Sequence, residues 1–482
     1  MHRSLEPYRY HWPQSNLRQA PGPWRTVEDG RAVAREMPEE QGELGRDSRW
    51  PAFFPCPISL VTTSDGAKTA LERAVGASIV NRFPYTLAIS VCRKTLSTRH
   101  HARRVFMDTL ERSGTAAVQF LAPGHELDRA LNAITSLADD QTHLRIGHSN
   151  LPTHRALTND AAVFDSAYMV YEVKLVKPGR DLHGASIFTE PWIDAGSHRI
   201  YFLEISAIQL RQDIAAGENQ IVWQALPEWN PLIEPRSIGS PNAGPDPSVR
   251  YKKSYNPLYA FPSASTTAFE ADTMHNGMAV KYLPSLPADQ IETDNDRARW
   301  PCFYPSSVGM ITTWASDGTP NVMPCGSTTV VSRHPFTIAP CVSYAAINER
   351  YAPRATLDII RRTGRFGCAV PFMHDQVVRA IRYAGNVSFT DDPHKLANAG
   401  LEVVNAEWAP VLSALPIHFD CEVVQEVPLG THIMFLGQVR RIRVRTDVTP
   451  ENPIQWCPWP TLRNLASIKN DRPSTHALAA HH

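Results

Sequence analysis

The chain has 482 residues, 43% of them hydrophobic and 20% charged, and its 48 Lys and Arg are balanced by 48 Asp and Glu. This balance removes the electrostatic reason to expect nucleic acid or an anionic membrane as a partner. No apolar run reaches the roughly 20 residues that span a bilayer, and the polar first 47 residues lack the apolar core of a secretory signal. The eight cysteines form no CxxC pair and lie in apolar segments, which predicts buried free thiols, a reducing compartment and a cytoplasmic location, with neither a disulfide framework nor a metal site.

In chain order, residues 1–48 read as an N-terminal extension. A first unit follows over 49–230, then a Pro/Ser-rich linker over 231–296, a second unit over 297–462, and a tail over 463–482. The division rests on a repeat. Arg49-Trp50-Pro51-Ala52-Phe53-Phe54-Pro55 recurs as Arg299-Trp300-Pro301-Cys302-Phe303-Tyr304-Pro305. At the same offset Arg104, Asp108, Arg112 and Gly114 match Arg354, Asp358, Arg362 and Gly364. Gly196-Ser197-His198 then matches Gly430-Thr431-His432 at a shorter offset. Ordered matches over so long a period indicate a duplicated domain, not a solenoid.

The second unit is the cleaner copy. Residues 308–314 read as a strand, Asp317-Gly318 as a tight turn, and 321–332 and 336–343 as two more strands. Pro353 opens a helix that Gly364 ends. A strand over 366–370 and a helix over 374–384, capped by Gly385, come next. A hairpin over 419–426 and 431–445 turns at Pro428-Leu429-Gly430. Many strands, two short helices and no βαβ alternation predict a mainly β protein with short helices, built on β-barrels.

Several residues have chemistry suited to a phosphorylated, planar ligand. Asn321 offers an amide. Gly326, Ser327 and Thr328 offer hydroxyls and a backbone that a ligand can approach. Ser332 and Arg333 end the same segment. Arg354 and Thr356 lie where a helix begins, and a helix start attracts phosphate. Each also has an ordinary structural role to play: strand hydroxyls bond to backbone, Asn321 follows a turn, and a lone histidine such as His432 is commonly a satisfied core residue.

The ordered set of motifs decides between these roles. Ile311-Thr312-Thr313, Asp317-Gly318, Pro320-Asn321, Gly326-Ser327-Thr328, Ser332-Arg333-His334-Pro335, Arg354-Ala355-Thr356, Gly364-Arg365-Phe366, Asp420-Cys421-Glu422 and Gly430-Thr431-His432 together resemble the flavin reductase-like family. The resemblance extends over about 299–445 and, more weakly, 49–211. It implies two FMN-binding split β-barrels that form an intramolecular pseudo-dimer, with a further homodimer open. It also implies FMN contacts from the segment that includes Asn321, Val322, Met323, Gly326, Ser327, Thr328, Ser332 and Arg333, and phosphate contacts from Arg354 and Thr356. His432 would border the region where NAD(P)H meets the flavin.

The first copy departs from this pattern. Ala67-Lys68-Thr69 stands opposite Pro320-Asn321, and Phe106 opposite Thr356, so one intact FMN site is expected, in the second copy. His198 and Arg103 of the first copy are candidates for a wall of the substrate pocket. There is no GxGxxG after a strand, no P-loop, no HExxH and no GxSxG. His143, His148 and His154 are too irregularly spaced to predict a metal. The expected activity is an FMN-dependent oxidoreductase that moves a hydride from NAD(P)H to flavin and on to free flavin, oxygen or a small organic acceptor. The alternatives are a flavoenzyme that holds FMN tightly and serves one small metabolite, and a non-catalytic flavin- or haem-binding or interaction protein.

Overall fold

The computed structural model describes residues 24–27, 56–93, 105–226, 258–262, 271–283, 308–344, 354–371 and 375–445, apart from 75, 123–124, 138, 182, 197, 217–219, 334 and 405. The repeated Arg-Trp-Pro motifs, Arg103, Arg104, Pro353 and the C-terminal tail lie outside the described residues.

The first half contains β1 (Ser59–Ser64), β2 (Thr69–Ala74), β3 (Gly76–Asn81), β4 (Thr86–Cys92), α1 (Val105–Ser113), β5 (Thr115–Leu121), α2 (His125–Ser136), β6 (Ala167–Leu175), β7 (His198–Arg211) and β8 (Met278–Tyr282). The second contains β9 (Gly309–Trp314), β10 (Pro320–Cys325), β11 (Thr328–Arg333), β12 (Phe336–Ser343), α3 (Ala355–Thr363), β13 (Arg365–Val370), α4 (Asp375–Asn386), β14 (Ile417–Pro428) and β15 (His432–Arg445).

In each half the strands named above form one antiparallel sheet, beside smaller two- and three-stranded ones, and the two main sheets have the same order. The first runs β2-β1-β5-β6-β7-β4-β3 and the second β10-β9-β13-β14-β15-β12-β11. The fold is mainly β with short helices, and each sheet is a split barrel. The register matches in detail: a bulge precedes Asn81, which faces Thr86, and a bulge precedes Ser332, which faces Thr337. His198 faces Cys92, and His432 faces Ser343.

Local rules explain most boundaries. Gly318 has φ +82° and closes the β9–β10 turn, where Asp317 Oδ1 accepts the Thr319 amide at 2.9 Å. Arg354 is the N-cap of α3, and Gly364 ends it in the left-handed region at φ +64°, which costs a glycine no Cβ clash. Two readings change. Residues 321–332 are two strands, not one, because the chain turns at Gly326-Ser327. Gly385 does not cap α4, which continues through it to Asn386.

Segments outside the two repeats are also built in. Trp24–Val27 pairs with Ile442 to Arg445 on β15. Within the stretch read as linker, Thr273–His275 pairs with β8, and β8 with the Ala207 to Arg211 end of β7.

The halves share an apolar core. Val80, Ala88, Val176, Ile187, Phe188, Ile200 and Phe202 of the first pack with Val331, Ala339, Cys341, Leu429, Met434 and Leu436 of the second. Burying a side chain of this size is worth about 1.5–3 kcal/mol, so the two sheets form one unit. Ser90 Oγ donates across the seam to the Val331 carbonyl at 2.6 Å.

Candidate functional site

The β9–β10 register sets Thr313 opposite Asn321. Asn321 donates through Nδ2 to Thr313 Oγ1 at 3.2 Å and to Thr356 Oγ1 at 3.0 Å. The sheet thereby holds the first turn of α3, and all three side chains are buried. Because the Thr356 oxygen accepts this bond, its hydroxyl hydrogen remains a donor. Asn321 Oδ1 is buried with no hydrogen-bond partner among the described residues. Such an orphan acceptor costs about 1–3 kcal/mol, which a ligand donor would recover.

Cations gather beside this cluster. The backbone N–H of Arg354 donates to the Ser343 carbonyl at 3.2 Å, and burial lowers the pKa of its guanidinium, with Cys325 the neighbouring titratable group. Lys395 is 4% exposed. Its Nζ donates to the carbonyls of Ala384 at 3.4 Å and Val387 at 3.3 Å, at the end of α4. Burial and then the charge of Arg354 bring it down to about 8.

His432 begins β15, with Nδ1 2.8 Å from Thr431 Oγ1. The residue keeps some exposed surface, but its ring is enclosed. Burial first, then the charges of Arg82 and Arg354, push it down to about 3, so at neutral pH the imidazole is uncharged. Arg82 comes from the first half and stacks over Tyr85, 5.1 Å from the ring centroid. Its backbone N–H donates to Thr431 Oγ1 at 3.3 Å.

A second first-half element reaches this region. The Tyr344 hydroxyl donates to Asp181 Oδ2 at 2.6 Å. Asp181 Oδ1 accepts the amides of His183 at 2.9 Å and Ala185 at 2.8 Å. Burial alone would raise the Asp181 pKa, but these donors hold it below the usual carboxylate value. Burial and then the carboxylate push the Tyr344 phenol up. Tyr344 adjoins Ser343, the partner of His432, and its N–H donates to the Thr431 carbonyl at 3.1 Å.

Of the residues singled out from sequence, Asn321, Thr356, Arg354 and His432 lie around this end of the second sheet. Val322 is in the core, and Met323 is partly buried against it. Gly326 and Ser327 are partly exposed in the β10–β11 turn. The Thr328 hydroxyl donates to the Cys325 carbonyl at 3.0 Å. Ser332 is buried at the β11 bulge, and Arg333 ends that strand, its side chain outside the described residues. His198 is buried in the first sheet. Asn81, Arg82, Asp181, Tyr344 and Lys395 were not legible as site residues. Only the match of Asn81-Arg82-Phe83-Pro84 to Ser332-Arg333-His334-Pro335 carried a signal for any of them.

Residues 301–459 match the flavin reductase like domain family. This part of the chain is similar to a flavin reductase like domain. Comparison with curated proteins gives no match. Among solved structures, flavoredoxin of Desulfovibrio vulgaris (Miyazaki F) is similar at 22% identity over 32% of this chain and 77% of its own, with a TM-score of 0.27. Nitrilotriacetate monooxygenase component B from Bacillus cereus is similar at 21% identity over 36% of this chain and 87% of its own, with a TM-score of 0.30. A Streptomyces globisporus NADH:FAD oxidoreductase is similar at 22% identity over 28% and 74%, with a TM-score of 0.24.

Against residues 301–459, the first half keeps Thr63 in the place of Thr313 but differs at two polar positions. The register puts Ala70 opposite Thr63, as Asn321 is opposite Thr313. The counterpart of Asn321 is therefore Ala70, one residue beyond the Ala67-Lys68-Thr69 match, and the amide is still missing. Phe106, fully buried, takes the place of Thr356. Glu72 faces Val61, where Met323 faces Ile311, and Glu72 forms a buried ion pair with Arg145 at 3.0 Å. An open depression lined by Trp314, Gly318, Ala406 and Glu407 contains none of the candidate residues.

Proposed function

We propose that this protein is an FMN-dependent oxidoreductase with one flavin site, formed by its flavin reductase like domain. The two sheets descend from a tandem duplication, and they work as an internal pseudo-dimer whose first half has lost its own site. One observation carries this reading. The buried Thr313–Asn321–Thr356 cluster, beside Arg354 and Lys395, occurs in the second half, whereas Ala70, Phe106 and a self-neutralised Glu72–Arg145 pair occupy the first.

The donor set fits a phosphate-bearing, planar cofactor. The start of α3, Arg354 and the Thr356 hydroxyl suit the phosphate. Asn321 Oδ1 and the partly exposed Gly326-Ser327 turn suit the polar edge. The chemistry FMN supplies when bound is acceptance of a hydride from NAD(P)H. His432, neutral at working pH, orients a ligand without adding charge. Arg82 brings a cation from the first half that favours an anionic group. The final acceptor is free flavin, oxygen or a small organic molecule. The buried thiols Cys325, Cys341, Cys368 and Cys421 suit a cytoplasmic, reducing setting.

Within this reading, the Asp181–Tyr344 contact favours a flavoenzyme that retains FMN and serves a dedicated small metabolite. It ties a first-half loop across the approach to His432, which hinders exchange of the flavin. The test is the absorbance spectrum of the purified protein with released flavin counted per chain, followed by NADH and NADPH assays. About one FMN per chain is expected. Two per chain would remove the single-site assignment, and none after addition of FMN would remove the flavin reading.

A further inference from the structure

We propose that Asn81, in the first half, is a positioning residue for His432 in the second, and that it acts through Thr431 to fix which ring nitrogen carries the proton. The argument is a count of hydrogens. Asn81 Nδ2 donates to the Pro84 carbonyl at 3.0 Å. Asn81 Oδ1 faces the Thr431 amide at 2.9 Å and Thr431 Oγ1 at 2.6 Å. A backbone N–H only donates and a carbonyl oxygen only accepts, so these contacts leave one orientation for the Asn81 amide.

Two oxygens 2.6 Å apart need a hydrogen between them. The carboxamide oxygen has none, so the Thr431 hydroxyl donates to Asn81. A hydroxyl has one hydrogen and two lone pairs. One lone pair of Thr431 takes the Arg82 amide at 3.3 Å. The other faces His432 Nδ1 at 2.8 Å. With its only hydrogen committed, Thr431 accepts, and His432 Nδ1 must be the protonated nitrogen. Nε2 then carries the lone pair. At Nε2 His432 can therefore accept an N–H or O–H but not donate one.

The backbone around the relay is fixed as well. Gly430 has φ +114°, and a Cβ there would collide with the Phe83 carbonyl oxygen. The turn before His432 is therefore seated against the loop that presents Asn81. In the second half the position of Asn81 is taken by Ser332, which has no amide to orient.

The protonation assignment concerns the flavin-free protein, while the role it gives Nε2 rests on the oxidoreductase reading above. The test is long-range 1H–15N correlation on flavin-free protein labelled at histidine ring nitrogens, with the His432 signals identified by their loss in His432→Gln. At neutral pH Nδ1 is expected as the protonated nitrogen and Nε2 as the bare one. Asn81→Ala should give a mixture of both tautomers. Asn81→Asp, which keeps the acceptor oxygen, should restore the single form. A protonated Nε2 in the unaltered protein, or a tautomer indifferent to Asn81→Ala, overturns the proposal. In the flavin-loaded protein Asn81→Ala should lower NAD(P)H turnover about tenfold, the scale of one lost hydrogen bond, with Asn81→Asp recovering most of it. Absence of flavin-dependent turnover in the unaltered protein would remove the oxidoreductase reading and leave the tautomer result intact.

Discussion

Phe106 occupies in the first half the helix position that Thr356 holds in the second. Thr356 accepts a hydrogen bond from Asn321 at 3.0 Å, whereas Phe106 is fully buried in apolar surroundings that include Val61 and Ala70. One place in a repeated fold is thus polar with a hydroxyl hydrogen to offer, and its twin is filled by a ring. Thr356→Val should weaken FMN binding about tenfold, since one hydrogen bond is worth roughly 1 kcal/mol or a little more. Phe106→Leu should leave flavin content unchanged and lower only stability. Titration of the flavin-free proteins with FMN, followed by fluorescence, measures both. Equal loss from the two variants would contradict a single site.

The ion pair between Glu72 and Arg145 gives a second test. Both side chains are buried, and Arg145 also donates to the Leu137 carbonyl at 3.0 Å. In the second half Lys395 takes the same place against the Val387 carbonyl. Arg145→Met removes the cation that Glu72 faces in the interior, and should cost about 3–5 kcal/mol. Copying the second half with Glu72→Met and Arg145→Lys together should recover most of that loss. Urea unfolding of the three proteins is the measurement, and a double variant no more stable than Arg145→Met would contradict the coupling.

Acid sensitivity should trace in part to His418. Its Nε2 lies 2.8 Å from the Leu412 carbonyl, and burial pushes it down to about 3. An unfolded chain binds a proton at this residue near pH 6.5, and the folded one does not until about pH 3. The unfolded state therefore binds more protons across that window, and stability falls as pH falls through it, by up to roughly 1.4 kcal/mol per pH unit. His418→Gln should flatten the slope of unfolding free energy against pH between about pH 4 and 6. An unchanged slope would show that the residue titrates alike in both states.

Tyr344→Phe removes the donor to Asp181 and keeps the ring. The turn around Asp181, between the paired Gly179–Arg180 and Ser186–Ile187, should then loosen, with faster hydrogen exchange at the His183 and Ala185 amides. Bound FMN should dissociate about tenfold faster, as expected for a lost bond to a charged group. Exchange and release rates that match the unaltered protein would mean that the hairpin does not close the site.

The strand and helix segments of the second half, and the mainly β class, were legible in the sequence because apolar periodicity and turn chemistry are local. Asp317-Gly318 and Gly364 each forced a particular backbone at a particular place. The stretch 321–332 was misread as one strand because the turn at Gly326-Ser327 is only two residues long and strand-forming residues flank it on both sides. The counterpart of Asn321 was misplaced by one residue, since the two β-turns differ in length and only the ladder fixes which residues face each other. Asn81 and Asp181 were invisible for another reason. Their partners, Thr431 and Tyr344, are 350 and 163 residues away, and no local pattern encodes contact across a seam between two folded halves.

The shared core between the sheets has a genetic consequence. In an assembly of two identical subunits, every substitution appears twice, so a ring at one helix start would be a ring at both. Here each side of the seam is spelled by its own codons. Phe106 could arise without touching Thr356, and Asn81 could come to serve His432 without a reciprocal partner. With both sheets in one chain, each face of the seam can evolve under its own selection.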